Sequence, residues 1–333
     1  MFKYLDRTLV IAEVGNNHEG DFTVACDLVD RAAETGVDAV KFQTFIPEHY
    51  CSVRDEARMA TLNRFRLSYG QFADLADRAR AKGLLFLSTP FDLESAAFLG
   101  TIVDAIKIAS GDNTFYPLIR KAAETGKPMI ISTGLADEND MIRAVACARD
   151  TWERLGTSPD LALLHCVASY PVPADQANLA AVRSMAAAFP DLTIGYSDHT
   201  IGPEAAVLAV ALGARIIEKH FTLDTAFSDF RDHQLSADPA AMTALVAAVR
   251  HAEALMGTGV LGAMPCEEPM LTPVRRSVVA ARDLNAGERI ATADVTWVRP
   301  GGGIPPGGED QVIGRRVRQA VAQGAMITSE FLD

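Results

Sequence analysis

Two histidines, two lysines and a series of hydroxyl side chains fall at or near the ends of short apolar runs in this 333-residue chain. His199 and His220 close two successive runs, so their imidazoles can converge on one point. Two imidazoles with open positions beside them suit a divalent metal of borderline softness, and Mn²⁺ tolerates imidazole better than Mg²⁺ does. Their spacing is neither that of a zinc finger nor H-E-x-x-H. A histidine standing alone is more often a hydrogen-bonded core residue, and His18 and His165 are read as such supporting residues. Lys41 and Lys107 allow two chemistries. Either could form a Schiff base, as in lysine aldolases. Alternatively, both could be fixed cations that neutralise a carboxylate or a phosphate. Ser88, Thr89, Ser110 and Ser132 lie at equivalent places and supply donors, which favours the second reading.

Such residues must be carried by something regular. Eight short apolar runs, 9–15, 39–45, 84–90, 105–110, 129–134, 161–167, 193–199 and 216–221, alternate with amphipathic stretches such as 22–34, 72–82, 141–155 and 203–212. Several stretches close on a glycine, as at Gly36 and Gly83, where a helix commonly ends. Eight strand–helix alternations predict a closed (β/α)₈ barrel. An open doubly wound sheet would need a glycine-rich first turn, whereas Gly15-Asn16-Asn17-His18-Glu19-Gly20 lacks that fingerprint. Active sites of such barrels lie at the C-terminal ends of the strands. Each predicted strand carries a polar group there, from Glu13 on the first to Glu218, Lys219 and His220 on the eighth. A buried charge is costly unless paired or liganded, so a ring of them points to function.

The composition frames this reading. Hydrophobic residues make up 49% and charged residues 22%, the values of a globular chain with a sizeable core. With 31 Lys and Arg against 43 Asp and Glu, the formal net charge is −12. That argues against nucleic-acid binding, which needs a basic surface. No run approaches the roughly 20 apolar residues of a membrane span. The five cysteines (26, 51, 147, 166 and 266) form no C-x-x-C pair, so free thiols in a cytoplasmic protein are expected. After a predicted helix at 239–256 the pattern changes. Residues 1–258 read as the barrel, 259–273 as a Gly- and Pro-rich linker, and 274–333 as a small, mostly β domain. The last of these has eight arginines, seven acids and no lysine, with β-like runs at 277–281, 295–298 and 316–320.

Longer motifs are specific. Ala12-Glu13-Val14-Gly15-Asn16-Asn17-His18-Glu19-Gly20, Val40-Lys41-Phe42-Gln43-Thr44 and Ser88-Thr89-Pro90-Phe91 closely resemble the sialic acid (N-acetylneuraminate) synthase family. So do Lys107-Ile108-Ala109-Ser110-Gly111, Ser132-Thr133-Gly134, Leu164-His165-Cys166, Tyr196-Ser197-Asp198-His199-Thr200 and Glu218-Lys219-His220-Phe221-Thr222. The tail is similar to that family's antifreeze-like (SAF) domain through Arg276-Ser277-Val278-Val279, Trp297-Val298-Arg299-Pro300 and Gly314-Arg315.

The resemblance implies a metal-dependent, cytoplasmic transferase. It would condense phosphoenolpyruvate with an N-acetylated hexosamine, giving a nonulosonic acid and phosphate, with the carbon–oxygen bond to phosphate breaking. By resemblance, His199 and His220 would hold Mn²⁺ or Mg²⁺. Lys41, Thr89, Lys107, Ser110, Ser132 and Ser197 would hold phosphoenolpyruvate. Glu13, Gln43, Asp112, Tyr170 and Asp232 would face the sugar. Glu13, Glu218 and His220 are the expected catalytic residues, Glu218 as the base. The SAF domain would cap the barrel of the other subunit in a domain-swapped homodimer, with Arg299 reaching the sugar's N-acetyl group. Three departures concern substrate contacts. Ala168 stands where an Asn is common, Asp112 stands for a Glu, and 222–233 lacks the usual Pro-Gly-Pro-Asp turn. They leave N-acetylmannosamine, a diacetylated hexose (legionaminate route) and an altrose analogue (pseudaminate route) open as acceptors. A Schiff-base aldolase is the rival enzyme class.

Overall fold

The computed structural model describes residues 1–2 and 5–333, which form two compact units, Met1–Gly257 and Thr258–Asp333. In the first unit eight parallel strands close into a barrel: β1 (Leu9–Gly15), β2 (Ala39–Thr44), β3 (Leu85–Pro90), β4 (Ala105–Ile108), β5 (Met129–Ser132), β6 (Leu161–Cys166), β7 (Thr193–Asp198) and β8 (Ile216–His220). Each strand pairs with the next and β8 returns to β1, with Glu13 opposite both Lys41 and His220. The expected (β/α)₈ barrel is therefore present.

One helix follows each strand on the outside: α1 (Phe22–Glu34), α2 (Tyr69–Ala81), α3 (Leu93–Ile102), α4 (Tyr116–Ala123), α5 (Glu138–Arg154), α6 (Ala181–Ala188), α7 (Glu204–Ala211) and α8 (Pro239–Met256). Two of them begin three residues earlier than apolar periodicity suggests, because side-chain caps set their ends. Ser68 and Gln71 cap α2 reciprocally, and Asp137 and Asp140 do the same for α5. Both α1 and α2 end in a residue of positive φ, Gly36 at 82° and Gly83 at 79°.

Period two along the strands divides the side chains into two sets. Val10, Ala12, Val40, Phe42, Phe86, Ile106, Ile108, Ile131, Leu163 and Ile217 face the helices in one buried cluster. Ile11, Ala39, Leu87, Ala105, Ile130, Ala162, Leu164 and Ile216 face inward and fill the barrel with a second, apolar layer, to which Phe2 adds its ring. Gly195 occupies the corresponding place on β7. A Cβ there would come within 2.5 Å of both the Ile216 carbonyl oxygen and the Leu164 side chain, so the layer has room only for hydrogen.

Between β2 and α2 the chain makes an excursion that the apolar pattern does not foreshadow, with short helices at Pro47–Tyr50 and Glu56–Phe65. Another short helix, Arg231–Leu235, follows β8. The second unit has its own core of Val278, Ala280, Leu284, Ile290, Val295, Val312, Val317, Val321, Ile327 and Leu332. Its strands β9 (Ser277–Ala280) and β10 (Val295–Val298) pair antiparallel. The expected run at 316–320 contributes only isolated bridges, Arg289 with Arg316 and Val317 with Leu332.

Candidate active site

Two residues beyond the apolar layer, along each strand, the inward position changes character. Ile11 gives way to Glu13, Ala39 to Lys41, Leu87 to Thr89, Ala105 to Lys107, Ile130 to Ser132, Leu164 to Cys166, Gly195 to Ser197 and Ile216 to Glu218. All eight of these polar residues are buried. The same alternation turns Asp198 and Lys219 outward, where the Lys219 ammonium is 2.8 Å from the Asp198 carboxylate and 3.1 Å from the Gly202 carbonyl. Those two charges hold the wall together and stand apart from the cavity.

The inward charges are paired. Lys41 Nζ lies 2.8 Å from Glu13 Oε2, 3.2 Å from Thr89 Oγ1 and 3.8 Å from Glu218 Oε2. Lys107 Nζ donates to Glu218 Oε1 at 2.9 Å, and Ser197 Oγ donates to the same oxygen at 3.0 Å. Burial alone would raise Glu218, but the two ammonium groups and the Ser197 hydroxyl pull it down to about 2. Glu13 moves the other way: burial and the nearby Glu218 charge outweigh Lys41 and push its carboxyl above the usual range. Burial would also lower Lys41, yet Glu13 and Glu218 hold its ammonium above the ordinary value. For Lys107 burial prevails, helped by repulsion from Lys41. Gln43 donates to Glu13 Oε1 at 3.2 Å and receives the Asn16 amide at 2.8 Å. Ser132 Oγ is buried and has no partner among the described residues, a hydroxyl facing the cavity.

The two imidazoles do converge. The rings of His199 and His220 lie 5.3 Å apart. His199 Nδ1 is 2.9 Å from the Val167 carbonyl, which can only accept, so Nδ1 carries the proton and Nε2 is left with a lone pair. Cys166 Sγ stands 3.8 Å from the same Nδ1. Burial would lower His199, but the contacts with Cys166 and Val167 turn its shift upward. Burial, then repulsion from His199 and Lys41, drives His220 well below the usual imidazole value, and its Nδ1 has no partner among the described residues. Tyr170 packs against His199 at 4.1 Å between ring centroids.

These groups line one cavity of about 340 Å³ at the C-terminal mouth of the barrel. It contains Glu13, Lys41, Gln43, Thr89, Lys107, Ser110, Ser132, Tyr170, Ser197, His199, Glu218, His220 and Asp232 together, as the sequence suggested. Asp112 lies just outside it, beyond Gly111, and burial raises its carboxyl to about 6. Arg299 is exposed on the second unit. His18 accepts from the Gly20 amide at 3.0 Å, and His165 bonds the Ala177 carbonyl at 2.9 Å; both are supports. Sequence reasoning missed Asn16, Tyr50, Arg58, Phe91, Phe230 and Arg231. Tyr50 and Arg58 sit on the excursion after β2, whose available signal was the Asp55 cap that accepts from the Arg58 amide at 3.1 Å.

A barrel whose mouth holds paired lysines, free hydroxyls and two imidazoles has the equipment of an enzyme acting on small anionic substrates. Residues 28–261 match the NeuB family and 275–333 match the SAF domain. An uncharacterized protein of Methanocaldococcus jannaschii is 40% identical over 93% of this chain and 90% of its own. The N,N'-diacetyllegionaminic acid synthase of Campylobacter jejuni is 36% identical over 93% of this chain and 96% of its own. A crystal structure of an N-acetylneuraminic acid synthetase from Leptospira borgpetersenii, in complex with citrate, superposes with a TM-score of 0.74 at 33% identity. It covers 80% of this chain and 90% of that one. The chain belongs to the NeuB family, with a C-terminal SAF domain, and is by class a phosphoenolpyruvate-dependent nonulosonic acid synthase.

Proposed function

We propose that the protein joins carbon 3 of phosphoenolpyruvate to the aldehyde carbon of an N-acylated hexosamine, while water adds at carbon 2 and phosphate departs. The observation that carries this reading is the buried ring of Lys41, Lys107, Glu13 and Glu218, with the unpartnered Ser132 hydroxyl beside two converging imidazoles. Lys41 and Lys107 hold the carboxylate and phosphate, with hydroxyls from Thr89, Ser110, Ser132 and Ser197. Lys41, held above its ordinary value by Glu13 and Glu218, serves as a fixed cation, and Lys107 is tied to Glu218 at 2.9 Å; both pairings favour this reading over a Schiff-base aldolase. Fixed donors aimed at a leaving phosphate stabilise the charge that grows there.

The donor set suits a divalent cation: His199 offers Nε2, and His220 has an unpartnered ring nitrogen. Among the described residues no group of three or more His, Cys, Asp or Glu is placed to hold a metal, so two protein ligands leave positions open. When bound there, such a metal supplies Lewis-acid polarisation of the acceptor carbonyl. Proton handling falls to Glu13. Glu218, the base expected from the sequence, is held at about 2 and serves to anchor both lysines. Glu13, displaced toward neutrality and bonded to Gln43, can carry a proton at the acceptor oxygen.

Gln43, Tyr170 and Asp232 orient the sugar, and Asp112 stands close by. We assign catalysis to the barrel (1–258) and capping to residues 274–333. Arg299 from a second copy would meet the N-acyl group in a homodimer. The test is phosphate release from phosphoenolpyruvate against a panel of hexosamines, with and without Mn²⁺. Release that requires both a hexosamine and the metal supports the reading; a lysine adduct trapped by borohydride would replace it with the aldolase.

A further inference from the structure

Above the charged layer, one wall of the cavity consists of side chains that the proposed reaction leaves unused. Tyr50 ends the first short helix after β2, and Arg58 and Leu62 lie on the second. The Tyr50 ring stacks on Phe91, 4.4 Å between centroids and 20° between planes. The Arg58 guanidinium carbon stands 5.1 Å from the centroid of the Tyr50 ring. All four side chains line the cavity, on the side of the strands that carry Gln43 and Thr89.

The charges in the cavity single out Arg58. Lys41 and Lys107 are answered by Glu13 and Glu218. Arg231, which lies 4.8 Å over the Tyr170 ring, is 3.3 Å from the Asp232 carboxylate. Among the described residues, Arg58 is the cavity-lining cation with no carboxylate in contact. Its guanidinium lies over the Tyr50 ring and hydrogen-bonds the Tyr50 side chain, which leaves its remaining N–H donors for a ligand.

What fits there must satisfy two surfaces at once. A phosphate would suit the guanidinium but would set charged oxygens against Tyr50, Phe91 and Leu62, where they lose hydration without a partner. An acylamino group suits both, since its carbonyl accepts from Arg58 and its methyl lies on the aromatic faces. We propose that Tyr50, Arg58, Leu62 and Phe91 form a specificity subsite for a second acylamino substituent on the acceptor, remote from its reacting carbonyl. This rests on the condensation proposed above, because it names the acceptor of that reaction.

The experiment compares kcat/KM, by phosphate release with Mn²⁺, for three acceptors: a mono-N-acetyl hexosamine, a 2,4-diacetamido hexose and a 6-phosphorylated N-acetyl hexosamine. The wild-type protein should prefer the diacylated sugar by about 10-fold or more, the worth of one hydrogen bond to a charged donor. Arg58→Met should erase most of that ratio through the KM for the acceptor, and Tyr50→Leu should lower it in the same direction. A wild-type preference for the mono-acylated or the phosphorylated sugar would overturn the subsite. So would a ratio that survives both substitutions. Should none of the three release phosphate, the condensation itself falls; a failure confined to the ratio counts against the wall alone.

Discussion

The barrel has two ends built on the same eight strands, and they differ by one step of the pleat. At the lower end Ile11, Ala39, Leu87, Ala105, Ile130, Ala162, Leu164 and Ile216 meet in an apolar layer with no polar atom to satisfy. One inward position further on, Glu13, Lys41, Thr89, Lys107, Ser132, Cys166, Ser197 and Glu218 take their places. The first layer gains free energy from burial; the second spends some of it, because four charges are withdrawn from water and only partly repaid by pairing. Stability and chemistry are thus separated vertically within a single closed sheet. The rigid floor allows the charged tier to keep its geometry without a ligand to organise it.

If that separation is real, substitutions in the two layers should fail in different ways. The largest effect belongs to the upper tier. His199→Ala should lower kcat by about 10³-fold or more, since it removes a group that acts on the reacting centre. Its melting temperature should stay close to wild type, because the fold loses a hydrogen bond to Val167 worth about 1 kcal/mol and a ring contact with Tyr170 at the wall of an open cavity. Retained turnover would remove His199 from the chemistry. In the lower layer, Ile130→Ala should do the reverse. It should cost about 2–5 kcal/mol in chemical denaturation by leaving a cavity, with kcat nearly unchanged below the transition. A collapse of kcat at full folding would show that the layers are coupled. A smaller effect sharpens the comparison at the rim of the barrel. Burial lowers His18 to about 4 from the usual 6.5. The unfolded chain takes up this proton as pH falls through 6.5, and the folded chain resists until about 4. Stability is therefore full at neutral pH and is lost across that window, by about 3 kcal/mol at most. Urea midpoints at pH 7 and 4.5 should diverge less in His18→Gln than in the wild type; equal divergence would assign the loss to other groups.

Much of this was legible in the sequence because period two and strand-end polarity are local signals. Glu13, Lys41, Lys107, Ser197, Glu218 and the two histidines announce themselves as polar residues inside apolar runs. What stayed hidden depends on the chain's return in space. Tyr50 and Arg58 lie on short helices with little apolar periodicity, and their meeting with Phe91, 41 residues after Tyr50, is set by the pairing of β2 with β3. The opposed shifts of Glu13 and Glu218 were equally hidden. Two glutamates look alike in a sequence, and what separates them is that one faces two ammonium groups and a hydroxyl. Lys219 illustrates the converse, since its place at the end of the eighth run counted it in the polar ring and the pleat turned it to the wall, against Asp198.

Cys166 has a practical consequence. Its sulfur lines the cavity beside His199, and the other four cysteines lie outside that cavity. A small electrophile admitted through the mouth would block the site where substrate must sit, and a saturating ligand would shield it, so the protein carries its own gauge of occupancy. For the same reason, air oxidation on storage would silence the enzyme without unfolding it, and thiol reductant belongs in every buffer.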